Sequence, residues 1–364
     1  MRATLLILVL LASCTAPVEE TGVVEVGPMT LARAAHTATP LPDGRVLIAG
    51  GCTSAGCGGT PEGGRSEIFD PATRRFAPGP SLVHARAGHT ATRLSDGRIL
   101  LTGGYPDEGR PPLAAAELFD PATGKFTATG AMTQGRGAHT ATLLRDGRVL
   151  IVGGVSSRGA LSTVEGYDPA SGSFSEVAPM PSPRTTHGAA LLGNGQVLVV
   201  GGQSLPGHGN GLLNTTLLYD PAANSWRPAG LLKQFKYKLA VAPLPNGGAL
   251  VIGGQTADDA GARLRETEIF QPATASFTAG PEMAEPRYKI SDAVAVLPDG
   301  RLVIAGNIGI EVYSGGAFTS LKMPVGAPER QFPAVAALPN GRVLVTGGYS
   351  EQTQPTASAM VAAL

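Results

Sequence analysis

The sequence predicts an all-β fold, a seven-bladed β-propeller of four-stranded blades, and three observations lead to this prediction. A sixteen-residue segment, HTATPLPDGRVLIAGG at residues 36–51, returns six more times in increasingly divergent copies. The Gly pair that ends each copy, Gly-Asn in the sixth, recurs at intervals of 41 to 53 residues. Each interval holds short β-prone segments separated by turns, and a period near fifty built from short strands is typical of propellers. The first glycines of the pairs are Gly50, Gly103, Gly153, Gly201, Gly253, Gly306 and Gly347.

The composition suits an all-β domain that does not bind nucleic acid. The 364 residues include 50 Gly and 30 Pro, and 43% of them are hydrophobic and 15% charged, which fits a chain of many short strands and turns. The 28 basic and 28 acidic residues give a formal net charge of zero, so the overall charge does not indicate a nucleic-acid partner. A closed ring of similar units is one domain, which we place at residues 21–364.

Within each copy, the order of the segments predicts the order of the strands in a blade. The first segment is small and β-prone, as in His89–Thr92, which suits an innermost strand where the blades converge. An Asp-Gly or Asn-Gly dipeptide such as Asp96–Gly97 follows in every copy and predicts a type I′ hairpin turn. The second segment, such as Val46–Ala49, is continuously apolar, so we expect it to be covered on both faces by neighbouring blades.

Aromatic residues mark the third and fourth strands. A loop of variable length after the Gly pair leads to a third strand that ends in an aromatic residue. The turn Asp-Pro-Ala follows in four copies, and another aromatic opens the fourth strand. We expect these twelve in-phase rings to lie in the core. They are Phe69, Phe119, Tyr167, Tyr219, Phe270 and Tyr313 in the third strands and Phe76, Phe126, Phe174, Trp226, Phe277 and Phe318 in the fourth.

The two ends of the chain are predicted to complete one blade together. The seventh copy ends after one further segment, residues 357–364, and so lacks a fourth strand. The segment VVEVGPM at residues 23–29 matches FSEVAPM at residues 174–180, which belongs to a fourth strand. We therefore expect the N-terminal strand to close the last blade, which leaves no unpaired sheet edge at the seam.

In combination, these motifs resemble the kelch repeat, which joins an Arg-x-x-His start, a Gly-Gly strand end and a later aromatic-Asp-Pro turn. The resemblance covers residues 21–364 and implies a kelch propeller. Blades 5 to 7 lack the His, and Gln271 and Ser314 replace the turn Asp, so the family's functions do not carry over to these blades. Kelch propellers include copper radical oxidases and sialic acid mutarotases. An oxidase would need a Tyr-Cys crosslink and a Tyr-His pair, and neither is visible here.

The first residues predict export and a lipid anchor. Arg2 precedes an apolar run, Leu5–Leu11, that is too short to span a bilayer. The sequence Leu-Ala-Ser-Cys at residues 11–14 resembles a bacterial lipobox, which implies a signal peptide at residues 1–13, acylation of Cys14 and a short tether at residues 14–20. The alternative is an ordinary signal that is cut nearby. We expect the protein in the bacterial cell envelope, held at a membrane face by its acyl chains.

Cysteines and histidines give no pattern of a metal centre. Cys52 and Cys57 lie in one Gly-rich loop, where an oxidising compartment favours their pairing in a disulfide. One histidine stands in phase in each of the first four blades, and ligands spread around a ring do not converge on one metal atom. We interpret these histidines as structural and expect no metal or other cofactor. They are His36, His89, His139 and His187.

A cation precedes every first strand, and two interpretations of these cations stay open. On the functional interpretation, they form a rim around the axial mouth that attracts an anionic or polyhydroxyl ligand. On the structural interpretation, they hydrogen-bond to carbonyls of neighbouring blades. The seven, each three residues before the His position, are Arg33, Arg86, Arg136, Arg184, Lys236, Lys289 and Arg330.

The joints that lead into blades 5 to 7 differ most from the earlier copies. They contain KQFKYK at residues 233–238, RYK at 287–289 and RQF at 330–332. Rings beside cations suit stacking on sugar faces while the cations neutralise carboxylates or sulfates. Alternatively, the rings fill space that the missing His and Thr leave. The rings are Phe235, Tyr237, Tyr288 and Phe332, and all but Phe235 join the seven cations as candidate ligand-binding residues.

Three classes of function are compatible with the sequence. The first is a monomeric, lipid-anchored binding module for a protein or an anionic glycan, on the face that carries the Gly-Gly loops and the joints between blades. It is favoured because the residues form no nucleophile–base pair and no metal constellation. The second is an enzyme of mutarotase or epimerase type that would use the cations with Asp292 or Glu329. The third is a purely structural envelope protein.

Overall fold

The computed structural model describes residues 22–57, 63–106, 109–205, 211–257, 262–307, 309–327, 329–350 and 352–364. The signal peptide, Cys14 and the tether lie outside these ranges and stay predictions. No helix within the ranges is long and apolar enough to cross a membrane.

Seven four-stranded antiparallel sheets form the predicted propeller. In blades 1 to 6, the strands pair in the order in which they occur in the sequence. Blade 1 comprises β2 (Thr37–Pro40), β3 (Val46–Ala49), β4 (Ser66–Asp70) and β5 (Arg75–Pro78), and blade 2 comprises β6 (Thr90–Arg93), β7 (Ile99–Thr102), β8 (Ala116–Asp120) and β9 (Lys125–Ala128). Blade 3 comprises β10 (Thr140–Leu143), β11 (Val149–Val152), β14 (Val164–Asp168) and β15 (Ser173–Val177). A hairpin of β12 (Val155–Ser156) and β13 (Gly159–Ala160) lies in the loop between β11 and β14.

The second half of the ring follows the same plan. Blade 4 comprises β16 (Gly188–Leu191), β17 (Val197–Val200), β18 (Thr215–Asp220) and β19 (Ser225–Leu231). Blade 5 comprises β20 (Ala240–Pro243), β21 (Ala249–Ile252), β22 (Thr267–Gln271) and β23 (Ser276–Ala279). Blade 6 comprises β24 (Val294–Val296), β25 (Leu302–Gly306), β26 (Gly309–Ser314) and β27 (Ala317–Ser320). Blade 7 comprises β28 (Ala334–Ala337), β29 (Arg342–Thr346), β30 (Ala359–Ala363) and the N-terminal β1 (Gly22–Val26). Two 3-10 turns lie at Ala55–Cys57 and Pro339–Gly341.

The first strands form the wall of a central channel. Each first strand contacts the first strands of both neighbouring blades, and β28 contacts β2, which closes the ring. Small side chains such as Ala91, Ala141 and Ala189 face the channel cavity. The blades can therefore converge without collisions, as the sequence predicts.

The core lies between the blades, around the second and third strands. Strands β3, β7, β11, β17 and β21 are buried at every residue, which confirms that the continuously apolar segments are covered on both faces. The twelve in-phase aromatics form six pairs, each joining a third strand to a fourth strand with ring centres 4.8–5.2 Å apart. The rings therefore fill the outer part of blades 1 to 6.

The turns between first and second strands differ from the type I′ prediction. Gly44 has a φ of 87°, but Asp43 does not have a positive φ, and a type I′ turn needs both. The Gly44 N–H donates to the carbonyl three residues earlier at 3.0 Å, and Asp43 Oδ1 accepts from Arg45 N at 3.0 Å. This is a type I turn followed by a left-handed glycine. Among the described hairpins of this kind, blade 7 alone has both central residues, Asn340 and Gly341, at positive φ.

The N-terminal strand closes the last blade, which confirms the prediction for the chain ends. Strand β1 pairs antiparallel with β30 over five residues, from Gly22 opposite Ala363 to Val26 opposite Ala359. The Met29 N–H donates to the Ala357 carbonyl at 2.8 Å. The ring is thus held shut by main-chain hydrogen bonds between the two ends of the chain.

A variant that begins at residue 27 is expected to have a free energy of unfolding lower by about 3 kcal/mol or more, because the edge of β30 is exposed and three partly buried Val side chains are lost. Differential scanning calorimetry should show a melting temperature lower by several degrees. A variant that begins at residue 21 is the matched control. Equal melting temperatures for the two variants would contradict closure by β1.

Candidate functional site

Each blade begins with a buried cation, and Arg33 shows how it is held. Arg33 Nη1 donates to Gly50 O at 2.6 Å and to Arg65 O at 3.1 Å, and Nη2 donates to Glu67 Oε1 at 2.8 Å. The other Glu67 oxygen accepts the N–H of Thr30, in the joint that leads into the blade, at 2.6 Å. One ion pair therefore ties together the second strand, the third strand and the joint.

Four other blades repeat this ion pair. Side-chain exposure of the cations is 0–1% and that of the carboxylates at most 8%. Burial lowers the pKa of each paired arginine, and its glutamate opposes the shift. The pairs are Arg86–Glu117, Arg136–Glu165, Lys236–Glu268 and Arg287–Glu311.

Blades 4 and 7 lack the carboxylate, because Leu217 and Met360 occupy its position in the third strand. Arg184 donates to the carbonyl of Thr215 at 3.2 Å, and Arg330 donates to the carbonyl of Ser358 at 3.0 Å. Burial lowers the pKa of both arginines to about 10. Carbonyl and hydroxyl oxygens thus solvate these two cations, and the charge of Glu25 also acts on Arg330.

The main chain of the same residue joins each blade to its predecessor. The Arg86 carbonyl accepts the N–H of Gly51 at 2.9 Å, and the equivalent bond occurs at all seven joints, with lengths of 2.8–3.0 Å. The preceding Gly50 has a φ of 65°, and a Cβ there would lie 2.8 Å from Cε1 of His89. The Gly pair is therefore a point of close contact between blades rather than a flexible loop.

The expectation of a cationic rim is corrected by this geometry. Six of the candidate cations lie inside the blades, where carbonyls and carboxylates use their hydrogen bonds, so the structural interpretation holds for them. In blade 6 the buried cation is Arg287, and Lys289 is not its equivalent, because two additional residues precede the first strand of that blade. The six buried candidates are Arg33, Arg86, Arg136, Arg184, Lys236 and Arg330.

The in-phase histidines also connect blades. Each Nε2 hydrogen-bonds to a threonine hydroxyl of the preceding blade. Burial, followed by the charge of Arg136, lowers the pKa of His139 to about 3, and burial lowers the other three pKa values well below their usual range, so the rings are neutral at pH 7. The pairs are His36–Thr346, His89–Thr37, His139–Thr90 and His187–Thr140, at 2.8–3.1 Å.

Seven residues in left-handed conformation surround the channel opening, and we call them the mouth ring. Each lies two residues after the buried cation of its blade and has a φ of 49–59°. Hydrogen bonds of 2.9 Å link neighbours, from Lys238 N to Thr186 O and from Lys289 N to Lys238 O. The backbone of the mouth ring is therefore held by the joints. Its members are Ala35, Gly88, Ala138, Thr186, Lys238, Lys289 and Phe332.

The mouth ring is asymmetric. Blades 1 to 4 contribute small side chains, whereas blades 5 to 7 contribute Lys238, Lys289 and Phe332. Lys289 Nζ lies 5.1 Å from the ring centres of both Tyr288 and Phe332, and Lys238 Nζ lies 4.5 Å from the ring centre of Tyr237. One side of the opening thus combines two ammonium groups with aromatic rings.

Tyr237 and Tyr288 are buried beside the two lysines of the mouth ring. Tyr237 is 1% exposed and Tyr288 is 7% exposed, so the core-filling interpretation applies to them. Tyr288 Oη donates to Gln331 Oε1 at 3.0 Å, and Lys289 Nζ donates to the same oxygen at 3.2 Å. The structure therefore brings Tyr237, Tyr288, Lys289 and Phe332 to one side of the opening, whereas Phe235, 54% exposed, lines a separate groove.

The opening leads into a cavity of about 720 Å³. Tyr105 and Tyr349, which directly follow the Gly pairs of blades 2 and 7, line it. So does the disulfide between Cys52 and Cys57, whose Cα atoms are 5.0 Å apart. Sequence reasoning missed both tyrosines, although their shared position after the Gly pair was a usable signal.

The two carboxylates considered for an enzyme lie in different surroundings. Asp292 lines the cavity and is exposed to the solvent in it. Desolvation by the surrounding channel wall raises its pKa to about 6, while the hydrogen bond from Ser291 lowers it by less. Glu329 forms an ion pair with Arg263 at 3.6 Å. Asp292 is therefore the carboxylate that a ligand in the cavity would meet.

Replacing Glu117 with Leu is expected to cost about 3 kcal/mol of stability, because it leaves Arg86 buried without its carboxylate. Chemical denaturation should show the loss. The matched variant is Leu217→Glu, which supplies the missing carboxylate beside Arg184 and is expected to leave stability unchanged or raised. Equal losses in both variants would contradict the role assigned to the ion pair.

Comparisons with known proteins place the chain in a structural context. A family profile described as "Kelch motif" matches residues 136–181. A comparison with curated proteins finds no significant match. Among solved structures, the chain is similar to a fungal alcohol oxidase of the AA5 family in complex with copper, at 17% identity and a TM-score of 0.72, over 94% of this chain and 76% of that chain. At this identity, the likeness shows the fold alone.

The residues of this chain do not fit a copper centre. The part of the chain that the structure describes holds no cluster of three His, Cys, Asp or Glu side chains. The Nε2 atoms of the in-phase histidines bond to threonines, and Cys52 is joined to Cys57.

The motif match, the repeated Gly pairs and the closure of the ring by β1 agree with one another. The chain is a seven-bladed β-propeller, and residues 136–181 match the kelch motif.

Proposed function

We propose that the protein is a monomeric binding module whose mouth holds an anionic sugar at the end of a glycan. Kelch propellers are generally interaction modules. The observation that carries the proposal is the asymmetry of the mouth ring: small side chains leave room over blades 1 to 4, and Lys238, Lys289 and Phe332 stand opposite.

The chemistry of that side suits a carboxylated or sulfated sugar. With Lys289 Nζ 5.1 Å from the centre of the Phe332 ring, a sugar face can lie against the ring while its anionic group reaches the ammonium. Such contacts contribute about 1–3 kcal/mol each. The cavity volume of about 720 Å³ falls within the roughly 300–1,000 Å³ that is usual for small-ligand pockets.

The concave shape favours the end of a glycan over the surface of a folded protein. A protein partner typically buries about 800 Å² on each side, whereas the cations and rings described here converge on one cavity. The low-dielectric walls of the channel also focus the field of the ammonium groups inside the cavity.

Changing Lys289 to Met is expected to weaken binding of a glucuronate-terminated glycan about fivefold or more, because one charge-assisted hydrogen bond is lost. A glycan array identifies the ligand, and titration calorimetry measures the change. Lys125→Met, on the outer strand β9, is the matched control and should bind normally. Added salt should also weaken binding. An array without any bound anionic glycan, or full affinity in folded Lys289→Met, would contradict the proposal.

We further propose that Cys14 is acylated and anchors the propeller to a membrane of the cell envelope. The support is the sequence of residues 1–14. Cys14→Ala is expected to move the protein from the detergent phase to the aqueous phase in Triton X-114 partitioning, since two or three acyl chains supply the membrane affinity. Thr15→Ala is the control and should stay in the detergent phase. Unchanged partitioning of Cys14→Ala would refute the anchor.

A second candidate function is sugar mutarotation or epimerisation, and the placement of Asp292 favours it. A carboxyl group with a pKa of about 6 in the cavity can exchange protons at neutral pH. NMR exchange spectra of the bound sugar would distinguish the two functions. Faster interconversion of anomers that depends on Asp292 would indicate the enzyme, and unchanged exchange would leave the binding module.

A further inference from the structure

Blade 6 carries two additional residues ahead of its first strand. The first strand of each blade has one residue that pairs with the residue directly before the Gly pair, as Ala240 pairs with Ile252. In the other six blades, this first-strand residue lies four positions after the buried cation, as Ala240 does after Lys236. In blade 6, Ala293 takes this place, six residues after Arg287, and accepts the N–H of Ala305 at 2.9 Å. The blade therefore keeps its strand register and accommodates the two residues in a turn.

This turn places a carboxyl group in the channel. The Ala293 N–H donates to Ile290 O at 3.1 Å, and Ile290, 1% exposed, packs in the hydrophobic core beside Gly306 of the same blade. The intervening Ser291 and Asp292 line the cavity. Among the described residues, Asp292 is the one carboxyl group in the lining of this cavity.

Asp292 faces the same space as the two lysines of the mouth ring. Lys238 and Lys289 enter the cavity from the joints before blades 5 and 6, and Asp292 follows Lys289 by three residues. The Ser291 hydroxyl donates to Asp292 Oδ2 at 3.1 Å. The cavity thus presents two cations and one titratable carboxyl group to its contents.

The other ionisable side chains in the wall keep one charge state between pH 5 and 8. Burial lowers the pKa of the wall histidines far enough to keep them neutral, and burial raises the pKa of both tyrosines, that of Tyr349 to about 12. These residues are His89, His139, His187, Tyr105 and Tyr349.

We propose that Asp292 is the specificity-determining residue of the mouth, which sets how strongly the cavity prefers an acidic sugar over a neutral one. The inference rests on the proposed function and deepens it. An ionised Asp292 repels the anionic group of the ligand, and a protonated Asp292 does not. The hydroxyl groups at the second, third and fourth carbons are common to both sugars, so hydrogen bonds from these groups to Asp292 cancel in the ratio of the two affinities.

The sign of the pH dependence follows from the charge of Asp292. Its pKa of about 6 means that it is mostly ionised at pH 8 and mostly protonated at pH 5. The preference for the acidic sugar should therefore rise as the pH falls from 8 to 5. Sugar sulfates stay fully ionised in this range, so a sulfated ligand excludes titration of the ligand itself.

The test measures the affinities of the full chain in detergent for glucose 6-sulfate and for methyl α-glucoside, by titration calorimetry at pH 5, 6, 7 and 8. We expect the ratio of the two affinities to be about tenfold higher at pH 5 than at pH 8. In Asp292→Asn, which has nearly the same shape, the ratio should be independent of pH and close to the wild-type value at pH 5. Circular dichroism and melting temperature confirm that the variant is folded.

A wild-type ratio that does not change with pH, or one that still changes in Asp292→Asn, would overturn the role of Asp292. If the role of Asp292 is overturned in this way, but both sugars bind and Lys289→Met weakens binding of the sulfated sugar alone, the proposed function still holds. If neither sugar binds at any pH, the proposed function and this inference fail together for these ligands, and the mouth does not select simple sugars by charge.

Discussion

The propeller depends on one buried cation in each blade joint. In blade 1, for example, the Arg33 side chain donates to a carbonyl directly after the second strand and to one directly before the third strand. The main-chain carbonyl of each cation accepts the N–H of the second residue of the Gly pair in the preceding blade. A guanidinium suits this position because it carries several N–H donors in a fixed plane. Lys236 serves in blade 5 with fewer donors and a direct bond to Glu268 at 2.7 Å. The same residue thus links the strands of its own blade through its side chain and contacts the preceding blade through its main chain.

The same constraint explains why the mouth can vary. Because the cation, the Gly pair and the joint hold the main chain, the residue two positions after the cation adopts a left-handed conformation in every blade. A left-handed conformation raises the conformational free energy of any residue other than glycine, yet Lys238, Lys289 and Phe332 all adopt it. Large side chains at a strained position, where glycine, alanine or threonine suffices in other blades, support a role at the opening rather than in folding.

Divergence of the repeat is concentrated around the channel opening. Blades 1 to 4 keep the histidine, which bonds to the preceding blade through threonine, whereas Leu239 in blade 5 and Pro333 in blade 7 take its place beside the Gly pair of the preceding blade. In blade 6 the loss of the histidine coincides with the turn that presents Asp292. The half of the ring with the weaker repeat therefore carries the charged and aromatic side chains of the mouth.

The sequence by itself determined the number of blades, the strand order, the paired aromatics and the closure by β1, because these depend on local periodicity and on matching segments. Only the tertiary structure decided which cations are buried, since one Arg can point into a blade or towards a channel with the same spacing. It also decided the register of blade 6, because Arg287 and Lys289 are both possible equivalents until the N–H of Gly254 is seen to bond to Arg287 O at 2.8 Å. The turn type likewise depended on Asp43, whose carboxylate binds a backbone N–H. The mouth assembles residues from seven distant joints, and no local pattern encodes which of them face one another.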